Sequence, residues 1–203
     1  ALLLRIAMLA PSVSLPLANI LIILAALSMT VGNLIGLIQK DVKRLLAYSG
    51  IAHAGYLILG TISLNSGGGA SAIYYIAFYL FMNLACFYVI TLLSKNGDNV
   101  MVDDLAGLSK RSPLLAFTLA VSAFSLAGIP PTGGFTGKFF LFVSAFQEGY
   151  LAIVIIGAVN TVISIFYYLN LVRMSYSREP ESRPNIPLYF HEKVVCYSLI
   201  FMI

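Results

Sequence analysis

Five stretches of this 203-residue chain run for about twenty residues or more with almost no charge: 17–38, 45–64, 72–93, 114–146 and 151–172. Roughly 20 apolar residues are what a helix needs to cross the hydrocarbon core of a bilayer, about 30 Å thick. No water-soluble architecture of this size has room to hide five such segments. The composition agrees, with 60% hydrophobic and 10% charged residues, against about 45–50% and about 25% in soluble domains. A soluble enzyme is excluded, and so is a disordered chain, which needs low hydrophobicity and high net charge. The formal charge of +4 is too small and too scattered for a nucleic-acid-binding surface. Cys86 and Cys196 stand in apolar runs; two thiols supply too few ligands for an iron–sulfur cluster or a structural zinc, and they read as small residues of a membrane core. The expected fold is all-α, a polytopic transmembrane helical bundle.

The connections alternate in charge. Lys40, Lys43, Arg44, Lys95, Lys110, Arg111, Arg173, Arg178, Arg183 and Lys193 all fall in alternate loops or at their edges, whereas the intervening connections around 65–69 and 147–149 have no basic residue. Ten of the twelve Lys and Arg therefore share one side, which the positive-inside rule assigns to the cytoplasm or its organellar equivalent. Residues 173–193 form a loop on that side, and 101–108, around Asp103 and Asp104, reads as a short surface helix or a contact with a neighbour. The apolar pieces 1–10 and 194–203 each have half the length of a span. They are expected to be the end of one truncated helix and the start of another. Arg5, in the first piece, can snorkel to the interface.

Lys138 has no such escape. It stands in Ser125–Phe140, SLAGIPPTGGFTGKFF, within the fourth span. Pro130 and Pro131 remove backbone donors and clash with the preceding turn. Gly128, Gly133, Gly134 and Gly137 permit unwinding and close helix approach. A helix broken near 128–137 is expected, and irregular backbone at membrane depth is tolerated only against protein or a water-filled cavity. Broken helices of this kind build ion sites from freed carbonyls and half-helix dipoles. A lysine at the bilayer centre costs about 2.5–3.5 kcal/mol on insertion scales, and such groups mark ion or proton routes. No Asp or Glu stands within the spans to pair with it. The glycine-rich run before Lys138 is not a phosphate loop, since Phe139 replaces the required Ser or Thr.

His53 lies about three turns into the second span. Its imidazole can relay a proton or simply hydrogen-bond between helices. Lys43 opens the same helix, as a solvated anchor or as a relay point. Asn33, Asn83 and Asn160 should bond across helices. The tyrosines, Tyr167 and Tyr168 among them, read as packing and interface belt.

Three stretches together resemble one family: Gly32-Asn33-Leu34 with Gln39-Lys40-Asp41-Val42-Lys43-Arg44-Leu45-Leu46-Ala47-Tyr48-Ser49; Ile51-Ala52-His53-Ala54-Gly55-Tyr56; and Leu126-Ala127-Gly128-Ile129-Pro130-Pro131 with Gly134-Phe135-Thr136-Gly137-Lys138-Phe139. They resemble the antiporter-like membrane subunits of respiratory complex I, the proton-pumping NADH–quinone oxidoreductase, and the Gly-Lys-Phe wording favours the subunit N branch over its sisters M and L. The resemblance covers about residues 1–173. It implies a fold of fourteen spans built from two inverted five-helix repeats, with 17–172 as the second repeat and the broken helix as the twelfth span. It places Lys138 on the lysine of the outer proton half-channel. The family's glutamate–lysine pair and eighth-span lysine would lie upstream of this chain. It also implies proton translocation coupled to electron transfer from NADH to quinone in other subunits. No cofactor is expected in this chain; NADH, FMN, iron–sulfur clusters and quinone belong to the rest of the complex. The expected partners are neighbouring antiporter-like and small membrane-arm subunits and the lipid bilayer, in a prokaryotic plasma membrane, with mitochondrial inner and thylakoid membranes as alternatives. A subunit of a multi-subunit cation/proton antiporter or of a membrane-bound hydrogenase shares the architecture. A non-transporting membrane scaffold is the plain alternative.

Overall fold

The computed structural model describes residues 15–64, 67–94, 98–177 and 185–203. The expected half-span 1–10, with Arg5, and the basic residues Lys95, Arg178 and Arg183 lie outside the described residues. Four long helices form where the apolar runs predict them: α1 (Leu15–Leu37), α2 (Val42–Ile62), α3 (Gly68–Leu93) and, later in the chain, α7 (Leu151–Ser175). At about 1.5 Å per residue, their 21 to 26 residues reach about 31–39 Å, enough to cross the hydrocarbon. Between α3 and α7 come a 3-10 turn (Val102–Leu105), the one-turn α4 (Leu108–Arg111), and two helices of 15 residues each, α5 (Pro113–Ala127) and α6 (Gly133–Gln147). Helix α8 (Phe190–Met202) closes the described chain, beginning four residues before the apolar run that announces it.

The interruption of the fourth span is shorter than the sequence suggests. Only residues 128–132 leave the helix. Gly133, Gly134 and Gly137 belong to the first turns of α6. Their small size serves contact rather than unwinding: a Cβ on Gly137 would stand 2.6 Å from the Tyr75 ring, and one on Gly134 would meet the Ser125 carbonyl. The Pro130–Pro131 bond is cis. Gly128 ends α5 with φ +83°, a left-handed conformation that a side chain resists. Gly128→Ala should lower stability by about 1–2 kcal/mol, and by more than Gly149→Ala. Both glycines have positive φ, but a Cβ on Gly149 meets nothing within 4 Å, whereas one on Gly128 would press on Lys138 Cδ at 3.2 Å. Reversible unfolding of the detergent-solubilised protein measures the difference.

The basic loops are tied together at one end of the bundle. Residues 40–42 and 100–102 form a short antiparallel clasp, with Val42 N–H donating to Val100 O (3.0 Å) and Val102 N–H to Lys40 O (2.8 Å). Ile186 N–H donates to Arg111 O (3.2 Å), bringing the 185–189 segment to the same end. The 101–108 stretch holds the 3-10 turn that follows this clasp. Toward the other end, Ser71 of α3 and Ser144 of α6 share a hydrogen bond of 3.0 Å.

Two apolar cores fill the interior. One, toward the basic end, gathers Leu45, Leu46, Met82, Val89, Leu105, Leu115, Leu119 and Leu171. The other gathers Leu21, Ala25, Met29, Leu59, Leu141 and Ile153. Along α2, Ser49 and His53 fall between residues of the first core and residues of the second; along α7, Asn160 and Ser164 do the same. A polar stratum therefore separates two greasy blocks. Outward, Ile20, Ile23, Leu27, Val31, Val159, Val162 and Phe166 are exposed, an apolar rim suited to lipid and untenable in water.

Candidate functional site: a buried lysine and histidine at the helix break

The site is built where α5 stops. A helix leaves its last four carbonyls without intrahelical donors, and here all four are accounted for. Phe124 O accepts from the N–H groups of Gly128 and Ile129, and Ser125 O from that of Gly128, each at 3.0 Å. This pattern requires the left-handed glycine. The remaining two, Leu126 O and Ala127 O, accept from Lys138 Nζ at 2.8 and 3.3 Å. Lys138, one and a half turns into α6, folds back to the end of α5 and is 3% exposed. The break thus supplies acceptors that an unbroken helix would have consumed. The C-terminal end of α5 adds the negative pole of its dipole. The Tyr56 ring lies 4.9 Å from the amine and offers its π face. Backbone oxygens, a dipole and an aromatic face together stand in for a carboxylate.

His53 occupies the neighbouring position, 2% exposed. Its ring lies 6.0 Å from that of Tyr56 and 4.9 Å from that of Tyr79. Nδ1 shares a hydrogen bond with the Tyr75 hydroxyl, and Nε2 with the Tyr168 hydroxyl at 3.2 Å. Tyr168 is in turn bonded to Ser49. A neutral imidazole donates from one nitrogen and accepts at the other, and each hydroxyl can take either part. The line Tyr75–His53–Tyr168–Ser49 is therefore continuous, and its Ser49 end lies on the side of α2 nearer the basic loops. Beside it, Thr161 donates to the Tyr56 hydroxyl at 3.1 Å. Tyr167 donates to Asn33 Oδ1 at 2.9 Å, and Asn33 Nδ2 donates to Asn160 Oδ1 at 3.3 Å and to its carbonyl at 3.2 Å. Asn33→Val should weaken the α1–α7 contact by about 0.6 kcal/mol, the usual worth of an interhelical polar pair in a membrane. A double-mutant cycle with Asn160→Val would read it.

Lys138 and His53 are thus brought together around Tyr56. Lys43 is not. It is half-buried at the start of α2, with Nζ donating to Asp98 O at 3.3 Å. Ten residues separate it from His53, about 15 Å along the helix. Of the helix-break residues, Gly128, Pro130 and Pro131 shape the gap, and Gly133, Gly134 and Gly137 let α6 close on α3 and α5.

Tyr167 and Tyr168 do not belong to an interface belt. They are 3% and 0% exposed, and Tyr56 and Tyr75 are equally interior. The reason is the polar stratum, which gives buried hydroxyls their partners. Spacing carries a signal that composition hides: Ser49, His53 and Tyr56 recur at steps of four and three, as do Asn160, Ser164 and Tyr167. Polar groups at helical spacing in otherwise apolar helices mark an inward stripe. Asn83, by contrast, bonds within its own helix, to the Tyr79 hydroxyl at 2.9 Å.

Among known proteins, the chain is 49% identical over 188 residues to an NADH-quinone oxidoreductase subunit N 2 of Opitutus terrae, covering 92% of this chain and 39% of that one. A chain of respiratory complex I from Thermus thermophilus, solved with bound aureothin, superposes with a TM-score of 0.81 at 34% identity, over 91% of this chain and 42% of that one. A chain of the Mrp complex from Dietzia sp. DQ12-45-1b superposes with a TM-score of 0.73 at 26% identity, over 80% of this chain and 30% of that one. The present chain spans well under half the length of the curated relatives it matches. The family model described as NADH:quinone oxidoreductase/Mrp antiporter, TM, matches residues 1–164. With a polar stratum, a broken helix and these likenesses in hand, the chain belongs to the antiporter-like transmembrane family of NADH:quinone oxidoreductases and Mrp antiporters.

Proposed function

We propose that this chain is part of a proton-translocating, antiporter-like subunit N of an NADH–quinone oxidoreductase in a bacterial plasma membrane. The observation that carries the proposal is the Lys138 amine, buried at the helix break on two backbone carbonyls. In this reading Lys138 holds a proton and His53 is its neighbour in the relay. The carbonyls of Leu126 and Ala127 hold the amine in place beside His53. A positive charge arriving on His53 repels the ammonium and favours release of its proton; neutral His53 lets Lys138 reload. Charges this close interact strongly where water is scarce. Lys43 serves as an anchor at the mouth of α2, held by the Asp98 carbonyl.

In the same reading the chain supplies the second of two inverted five-helix repeats. NADH, FMN, iron–sulfur clusters and quinone are handled by other subunits, and the chain contacts neighbouring antiporter-like and small membrane-arm subunits. The test is proton translocation in vesicles holding the assembled complex with Lys138→Ala. Wild-type translocation by that variant would refute the assignment. The likeness to an Mrp chain makes cation/proton exchange the second reading. Sodium-dependent exchange without quinone reductase activity would establish it in place of the first.

A further inference from the structure

At the basic end of the bundle, a groove of about 630 Å³ opens between the last turns of α1 and α7. Its walls are Leu37, Leu45, Phe166, Leu169 and Val172, with Tyr167 at its back. Phe166 is 65% exposed and Leu37 45%, so the groove faces outward, toward where lipid would lie. Three polar side chains also line it: Gln39, Asn170 and Arg173. Asn170 and Arg173 are exposed, and neither has a hydrogen bond or ion pair among the described residues. Three residues apart on α7, they share a face. Lys40, next to Gln39, is exposed as well.

An amide and a guanidinium without partners among the described residues, on the outward face of a membrane helix, suit a ligand that is itself polar at one end. The groove has that polarity, apolar along its length and cationic only at the membrane surface. An anionic phospholipid satisfies both parts, its acyl chain lying against Phe166, Leu169 and Val172 and its phosphate meeting Arg173 and Asn170. Basic pockets between helices on the cytoplasmic side are a recurrent setting for such headgroups, and the guanidinium is suited to two-pronged phosphate contact.

We propose that the α1–α7 groove, with Arg173 and Asn170 at its rim, is a binding site for an anionic phospholipid on the basic side of the membrane. The inference rests on the chain crossing a membrane and is independent of whether Lys138 carries protons.

The assembled complex is placed in phosphatidylcholine nanodiscs containing a trace of phosphatidylglycerol with a photoactivatable acyl chain, and label is mapped along α7. Label is expected on the Phe166–Val172 segment. Unlabelled phosphatidylglycerol should compete for it more effectively than added phosphatidylcholine, which needs no variant. Arg173→Gln should weaken labelling roughly fivefold, the worth of one basic residue near an anionic surface, and Arg173→Lys should retain most of it. Each of three outcomes would overturn the proposal: no label on that segment, equal labelling by photoactivatable phosphatidylcholine, or undiminished labelling of Arg173→Gln.

Discussion

Replacing Gly134 with valine is expected to prevent α6 from seating against α5, with a loss of stability of about 3 kcal/mol or more. The added Cβ would fall on the Ser125 backbone carbonyl, which has no rotamer with which to retreat, and would also crowd Met82 Sδ at 2.9 Å. The same substitution pushes away the Gly134 N–H, which donates to Ser125 Oγ at 3.1 Å. Overpacking against flexible side chains costs about 1–3 kcal/mol; here the struck atom is backbone, so the upper end applies. The measurement is the unfolding midpoint in detergent, together with the yield of assembled complex. Gly36→Ala is the control, because a Cβ on that helical glycine meets nothing nearer than 3.7 Å. Equal behaviour of the two variants would show that close approach is not what Gly134 provides.

Lys138→Ala is expected to slow the proton step proposed for this chain on the order of a hundredfold, the lower end of what a positioned proton donor supplies. Lys138→Met separates chemistry from packing. It fills the same space with a side chain of similar reach but leaves Leu126 O and Ala127 O without donors, a cost of about 1–3 kcal/mol for each buried group. Both variants should lose translocation, and Lys138→Met should also lose stability despite its better shape. Protons moved per NADH oxidised, read beside unfolding midpoints, tests both statements. A stable Lys138→Met protein that translocates normally would leave the amine with no role in either.

The helices were legible in the sequence because hydrophobic length is a local property. Runs 17–38 and 151–172 needed no partner to be read as spans, and the Pro130–Pro131 pair announced a break. The extent of the break was not legible. Gly133, Gly134 and Gly137 suit both an unwound segment and a tight helix contact, and only the nearness of Ser125, Phe78 and Tyr75 decides for contact. Lys138 was conspicuous as the one charge in the fourth span, and His53 as the only histidine in any span. Their shared surroundings were not, since Tyr56, Tyr75 and Tyr168 come from three helices and are ordinary membrane residues until the Tyr56 ring and the other two hydroxyls are seen to meet His53. The carbonyl cradle was hidden for a deeper reason: backbone acceptors have no letter in a sequence. Lys43 shows the converse. Its position in a motif-like run drew attention to it, but helix length keeps it about 15 Å from His53.

The line from Tyr75 through His53 and Tyr168 to Ser49 has one further consequence. Such a wire has two orientations, with every O–H and N–H pointing one way or every one pointing the other. Were the row to carry protons as proposed for His53, passage of a charge would flip all of it, and it would conduct a second time only after each member swings back. Hydroxyl hydrogens turn about a single bond while the rings stay fixed, but the imidazole must exchange its tautomer. His53 would therefore act as the turnstile of the row, keeping it shut until it has been reset.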